Sequence, residues 1–337
     1  MEALTLASMI NQRLLGAHTG LRVSALALGT GRIGTAPDRA TDPGEARATL
    51  DAFADAGGTF LDTSSAYQRG RAEEMLGEFL TDRGRDAFVV ASKYGRTPQV
   101  NPPSASVGNH RGAMIAEVEG SLRRLRTDRI DLYFPHFDDG VTPIEEIMSG
   151  LEDLRRAGKI VHAGFSNFPA WRTAAAAILA EERGWLGVVA LQLQYNLLER
   201  SIEREHLPMA EARGMAVIAW SPLAGGRLTR AGKPDAEATE RESAIKAALD
   251  AVAIEVRAAP AAVAIAWVRA KGVIPVLGPR TREQLLENLL GADLCLSEAQ
   301  VRKLDEASAM VLGYPYDLLA KQGGVRGESA ARTEAVS

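Results

Sequence analysis

Four side chains able to move a proton stand at or just past short apolar runs. Asp62 stands near the end of "TFLDT" (59–63) and Tyr67 follows it, Lys93 follows "FVVAS" (88–92), and His136 ends "IDLYFPH" (130–136). A phenol with an ordinary pKa near 10 is a poor acid at neutral pH. A nearby ammonium lowers that value, and a carboxylate holds the ammonium in place and charged. Asp62, Lys93 and Tyr67 are expected to form such a relay, with His136 orienting a carbonyl oxygen beside the phenol. The set suits proton donation to a developing alkoxide, given a source of hydride. Taken singly, each residue has a blander use: a strand-end Asp is more often a cap, and a lone Tyr, Lys or His is more often surface or structural. Four on consecutive strand ends make coincidence the poorer reading. His18, His110, His162 and His206 are read as structural. Asp and His can also share a metal, but there is no His-x-His, no Cys cluster and no second His on a neighbouring strand end. No metal site is expected.

Stepping outward, these positions need a scaffold that gathers strand ends. Besides the three runs above, strands are expected at "ALALGT" (25–30), "IVHAGFS" (160–166), "VVALQLQY" (188–195), "MAVIAW" (215–220) and "VIPVL" (273–277). Amphipathic stretches lie between them. In "PIEEIMSGLEDLRRAGK" (143–159), Ile144, Ile147, Met148, Leu151 and Leu154 fall on one helical face, and the basic residues and Gly at its end suit a helix C-terminus. Eight continuous apolar strands, each followed by helix, point to a parallel sheet buried on both faces, closed as a (β/α)8 TIM barrel. The rival is an open doubly wound sheet, which would place a Gly-rich phosphate turn early. "GTGRIGT" (29–35) has suitable glycines but no helix follows at once, so it is read as a loop over the barrel mouth.

One barrel domain is expected over residues 1–320, with an N-terminal hairpin over 11–24 closing the bottom and a disordered tail over 321–337. Long loops are expected after strand three (94–112) and strand seven (224–242). The remaining strand ends bring Ser166 and Asn167, Gln194 and Tyr195, Trp220 and Ser221, and Gly278 and Arg280 to the same rim. Tyr94, Phe137 and Phe168 are available to line the mouth. In the 337-residue chain, 46% of residues are hydrophobic, 24% are charged and the net charge is -4. That is globular composition with no basic stripe for nucleic acid and no run long enough to span a membrane. The start "MEALTLASMINQRLL" lacks the basic region and cleavage site of a signal peptide, so a soluble cytoplasmic protein is expected. The one cysteine, Cys295, is read as a small buried apolar group.

"FLDTSSAY", "VVASKYG", "DLYFPH", "AGFSNF", "LQLQYNLLER", "AWSPLAGG" and "GPRTREQLLEN" occur in an order that resembles the aldo-keto reductases over residues 20 to 310. "GNHRGAM" with "SLRRLRTDRIDLYFPHFDDGVTPIEEIM" resembles the bacterial branch related to aryl-alcohol dehydrogenases. The resemblance implies a barrel that uses NADPH without a Rossmann fold. It implies Tyr67 as general acid/base, Lys93 and Asp62 as its tuning groups and His136 as the substrate-positioning residue. It further implies that Ser166, Asn167 and Gln194 bond the nicotinamide carboxamide and that Trp220 stacks on its ring. Ser221, Pro222, Leu223, Gly225 and Arg227 would hold the pyrophosphate. Gly278, Arg280, Gln284, Glu287 and Asn288 would hold the adenosine end. "GGRLTR" departs from the glycine- and lysine-bearing sequence more usual there, which leaves the contact of Arg227 open.

The residues of the last stretch agree with that implication. "GPRTREQLLEN" opens a helix, whose free N–H groups form an anion site, and Arg280 adds a planar fork suited to a ribose 2′-phosphate. NADP is therefore expected over NAD. The function expected is interconversion of an aldehyde or ketone, aryl or cyclic, with its alcohol by hydride transfer. The partner is a small-molecule substrate, and oligomeric state is open. Two alternatives use the same residues: an NADPH-binding sensor with little turnover, and an oxidative dehydrogenase of a sugar or polycyclic secondary alcohol.

Overall fold

The computed structural model describes residues 10–32, 42–96, 107–229 and 239–321. In chain order the strands and helices begin with β1 (Gln12–Leu14), β2 (Arg22–Ser24), β3 (Ala27–Gly29), α1 (Pro43–Asp55), β4 (Phe60–Asp62) and α2 (Arg71–Arg83). Next come β5 (Val89–Tyr94), α3 (Arg111–Leu125), β6 (Ile130–Pro135), α4 (Ile144–Arg156), β7 (Ile160–Ser166), α5 (Ala170–Arg183) and β8 (Val188–Gln194). The series ends with α6 (His206–Ala212), β9 (Ala216–Trp220), α7 (Glu240–Val256), α8 (Pro260–Ala270), β10 (Ile274–Leu277), α9 (Arg282–Asp293), α10 (Glu298–Ala307) and α11 (Tyr316–Lys321).

Strands β3 to β10 pair in parallel and close into a barrel, with β10 returning to β3. All but one lie within the apolar run that the sequence marked for them; β5 runs two residues past 88–92, to Tyr94. Strand period sorts side chains into two cores. Phe60, Ala91, Leu132, Phe134, Ala190 and Ile218 fill the barrel interior. Their alternates, such as Leu61, Val90, Tyr133, Leu191 and Val217, face the helices. Phe134 needs room inside, and Gly164 on the next strand provides it: a Cβ there would stand 2.2 Å from the Phe134 ring.

Strands β1 and β2 form the expected antiparallel hairpin. Its Leu15 and Val23 are fully buried against the interior cluster, and Ala17 N donates to Gly214 O at 2.7 Å, below the start of β9. The hairpin thus plugs the end of the barrel where the strands begin. Helix α4 buries Ile147, Met148, Leu151 and Leu154, the face read from its spacing, and ends with Gly158 left-handed at φ 72°. Among the described residues no single helix is long and apolar enough to cross a membrane, although the bent pair α7–α8 together reaches that composition. Helix α8 is apolar because it is buried from Ala261 through Val268, as a helix enclosed by neighbours must be.

Some expectations fall outside the described residues: 33–35 of the mouth loop, 97–106 and 230–238 of the two long loops, and the tail from 322. The described part of the mouth loop is where it was expected. Gly31 lies against the Tyr67 ring, and its carbonyl accepts from Gln68 Nε2 at 3.1 Å. One expectation is corrected: Cys295 is exposed. Leu294 and Leu296 on either side pack on the core, so the residue between them turns outward.

Candidate active site

Strand period decides which residues reach the mouth. Asp62, Lys93 and His136 each stand two positions beyond an interior residue: Phe60, Ala91 and Phe134. All three therefore point inward at the ends of the neighbouring strands β4, β5 and β6. Tyr67 arrives from the loop after β4. Gln68 and Arg69 behind it hold left-handed φ of 48° and 56°, and Gly70 follows at 90°. Such backbone costs about 1–3 kcal/mol per non-glycine residue and persists where the surroundings over-determine it.

Lys93 is fully buried. Its Nζ donates to both oxygens of Asp62 at 2.8 and 2.7 Å, to Thr63 O at 2.9 Å and to Tyr67 Oη at 3.2 Å. Gln192 Nε2 donates to Asp62 Oδ1 at 2.6 Å. Burial pulls the ammonium's pKa down, but Asp62 and Tyr67 more than offset this, and the net shift is upward. For Tyr67 the balance falls the other way from the expectation. Burial raises the phenol more than Lys93 lowers it, so the half-buried ring holds its proton above the ordinary value of 10. The His136 imidazole lies edge-on to the Tyr67 ring, with centroids 5.7 Å apart. Burial first, then the charges of Lys93 and Arg96, bring its pKa down to about 2. It is a neutral ring with one N–H. Ser64 Oγ stands 3.2 Å from its Nδ1 and 3.4 Å from Lys93 O.

Beyond the four, Ser166 is buried and its Oγ accepts from Asn167 Nδ2 at 2.9 Å. The same nitrogen donates to His136 O at 3.0 Å, and Asn167 Oδ1 accepts from Trp220 Nε1 at 2.9 Å. Gln194 and Trp220 are half-buried at neighbouring positions on β8 and β9. Asn167, Ser221 and Ala224 all hold positive φ, between 51° and 57°. Ser221 Oγ accepts from Gly225 N at 3.0 Å, Pro222 is buried and Leu223 packs on the core. Arg227 pairs with Glu242 on α7.

At the opening of α9 the expectation of free N–H groups is corrected. Arg282 N donates to Glu45 on α1, Gln284 N to the Thr281 hydroxyl at 3.2 Å, and Arg280 N to Gln284 Oε1 at 2.9 Å. The Arg280 side chain beside this helix end is exposed. Gly278, Gln284 and Glu287 are exposed while Asn288 is 6% exposed, so their shared face turns into the core at Asn288.

Three aromatic expectations are corrected, those for Tyr94 and Tyr195 by the same period of two and that for Phe168 by the left-handed Asn167 that breaks the period after β7. Tyr94 and Phe168 sit in the wall beneath the helices, Tyr94 stacked on Tyr133 and Phe168 tilted against Phe165. Tyr195 packs on Trp267 and donates to Glu203 Oε1 at 2.5 Å. Phe137 alone of these stands at the mouth, 40% exposed and stacked on His136. Two polar neighbours escaped the sequence reading, Gln192 and Ser64. The alternation of "LQLQ" on β8 carried the signal for Gln192; Ser64 gave none, because its partner lies on another strand. Of the histidines set aside, His110 caps α3 by accepting from Ala113 N, and His206 bonds Phe168 O at 2.9 Å.

The closed barrel and its rim can be set beside known proteins. Residues 25–309 match the aldo/keto reductase family model. An uncharacterised oxidoreductase of Bacillus subtilis is 36% identical, covering 86% of this chain and 93% of its own. A norsolorinic acid reductase of Emericella nidulans is 35% identical over 91% of this chain and 84% of its own. An NADP(+) aryl-alcohol dehydrogenase of Phanerodontia chrysosporium is 34% identical over 90% and 87%. With a family model spanning most of the sequence and relatives aligned nearly end to end, this chain belongs to the aldo/keto reductase family.

Proposed function

We propose that the protein is an NADP-dependent oxidoreductase that reduces an aldehyde or ketone to its alcohol, with Tyr67 as the general acid. The observation that carries this reading is the Lys93–Tyr67 hydrogen bond at 3.2 Å, with Lys93 fixed on Asp62 beside a neutral His136. The ammonium donates to the phenolic oxygen, so the phenol's own proton is free to meet a substrate oxygen. As that proton leaves, Lys93 stabilises the phenolate, and Asp62 keeps Lys93 charged. His136 donates its one N–H to the same substrate oxygen. This requires the proton on Nε2, the tautomer favoured when the Ser64 hydroxyl donates to Nδ1. A phenol raised above its ordinary value is proton-loaded at neutral pH, which suits the reductive direction.

The residues present fit a nicotinamide dinucleotide. Gly225, Gly226 and Gly278 have open space where a Cβ would stand, so a ligand can approach their backbone closely. The left-handed backbone at Asn167, Ser221 and Ala224 is strain of the kind found at ligand sites. When bound, NADPH supplies the hydride. Ser166, the second lone pair of Asn167 Oδ1 and Gln194 would hold the carboxamide, and Trp220 offers the flat face. Ser221, Pro222, Leu223, Gly225 and Arg227 would flank the pyrophosphate, with Arg227 sharing its charge with Glu242. Gly278, Arg280, Gln284, Glu287 and Asn288 would hold the adenosine end, with Arg280 on the 2′-phosphate. The NADP(+) named for one relative supports the same cofactor.

The test is consumption of NADPH by the purified protein with a panel of aryl aldehydes, sugars and cyclic ketones, run in both directions. Turnover of a carbonyl substrate is the result expected. NADPH bound without turnover across the panel would favour a cofactor-sensing role instead.

A further inference from the structure

A second cation stands at the mouth beside the four rim residues. Arg96 lies just past Lys93 and is exposed, with its guanidinium carbon 5.5 Å from the centroid of the Phe137 ring. Phe137 in turn stacks on the His136 imidazole, centroids 4.7 Å apart and planes 12° from parallel. The positive charge is thus one ring removed from the group that orients the substrate oxygen. Its field reaches both reacting groups, adding to the lowering of the His136 pKa and offsetting part of the rise that burial gives Tyr67. The carboxylates that follow Phe137 are committed to other partners. Asp138 pairs with Arg172 at 3.2 Å and accepts from Gly140 N at 3.0 Å. Asp139 accepts from Asn109 N, Val141 N, Thr142 N and Thr142 Oγ1, between 2.6 and 3.1 Å.

We propose that Arg96 sets the substrate class: it selects carbonyl compounds that carry a carboxylate on an aromatic ring, with the ring against Phe137 and the carboxylate on the guanidinium. This rests on the oxidoreductase reading above and deepens it. A guanidinium presents a planar fork that matches a carboxylate, and Phe137 presents the apolar surface beside it. A neutral ester of the same acid keeps the ring contact and loses the charge.

The experiment compares 4-formylbenzoate with its methyl ester. Each is titrated calorimetrically into the full chain holding oxidised NADP, where no turnover occurs. The acid is expected to bind about tenfold more tightly than the ester, a difference of about 1.4 kcal/mol. Arg96→Gln brings the ratio close to one, and Arg96→Lys keeps part of it. Equal affinities in the unaltered chain, or a preference that survives Arg96→Gln, would overturn the proposal. Reduction of the ester by NADPH is read in parallel and separates the two ideas. Ester turnover without acid preference overturns the role of Arg96 and leaves the oxidoreductase reading standing. An acid preference lost in Arg96→Gln, with neither aldehyde turned over, upholds the anion contact and counts against that reading.

Discussion

Lys93 holds Asp62 through both carboxylate oxygens, at 2.8 and 2.7 Å, with Lys93 fully buried and Asp62 3% exposed. A buried pair of this kind contributes little over an apolar alternative, but breaking it by removing one partner leaves a charge uncompensated. Asp62→Asn removes the charge that opposes burial at Lys93, whose pKa then falls. The variant is expected to lose about 3–5 kcal/mol of stability and to lower kcat, because an uncharged amine no longer stabilises the Tyr67 phenolate. Thermal unfolding and steady-state rates measured on the same preparation check both.

His136 carries a pKa of about 2, so it does not titrate in the range where an ordinary imidazole would. The rate of carbonyl reduction is expected to stay level between about pH 5 and 9. It should fall only as the Tyr67 phenol loses its proton above its ordinary value of 10. A pH profile of kcat/KM with a break near 6.5, where a free imidazole titrates, would show that His136 is charged in the working enzyme.

Glu117 ties two active-site loops to α3. Its Oε2 accepts from Ser65 Oγ at 2.5 Å, and its Oε1 from Gly95 N at 3.3 Å. Ser65 Oγ also lies 3.1 Å from Lys93 O. Burial raises the Glu117 pKa above its ordinary value of 4.5. An acid raised in the folded state binds more protons folded than unfolded, so its contribution to stability declines as pH rises from 4.5 through its folded value. Glu117→Gln abolishes that decline. The melting temperature of the variant, relative to the unaltered chain, is therefore expected to improve between pH 4 and pH 8. A constant difference across that range would contradict the assignment.

The opening of α9 is filled by Glu45, Thr281 and Gln284, so the proposed contact with a 2′-phosphate rests on the Arg280 side chain alone. Arg280→Ala is expected to weaken NADPH binding by ten- to a hundredfold, about 1.5–3 kcal/mol for a charge-assisted contact, and to affect NADH far less. Fluorescence titration with both cofactors checks this. Equal weakening of the two would remove Arg280 from the 2′-phosphate.

The barrel was legible because its strands are continuous apolar runs separated by helical spacing, and each observed strand starts inside its run, with only β5 extending past it, to Tyr94. The four rim residues were legible because each ends or follows such a run. What the run alone does not give is facing. Counting in twos from Phe60, Ala91 and Phe134 leads to Asp62, Lys93 and His136, and the same count turns Tyr94 and Tyr195 into the wall. Counting from Ala190 would also have found Gln192. The contacts of Ser65 with Glu117 and of Arg96 with Phe137 join residues far apart in sequence, so only the closed barrel shows them. The net rise in the Tyr67 pKa was equally hidden, because it depends on how deeply the ring is buried.

The most direct test of the account is Tyr67→Phe, assayed for NADPH-dependent reduction of an aldehyde that the unaltered chain turns over, alongside NADPH affinity. The substitution deletes one oxygen and leaves the ring in place. Turnover is expected to fall by about 10²–10⁴-fold, the usual contribution of a positioned general acid, with NADPH affinity nearly unchanged. Turnover retained in Tyr67→Phe would contradict the assignment of the proton to Tyr67.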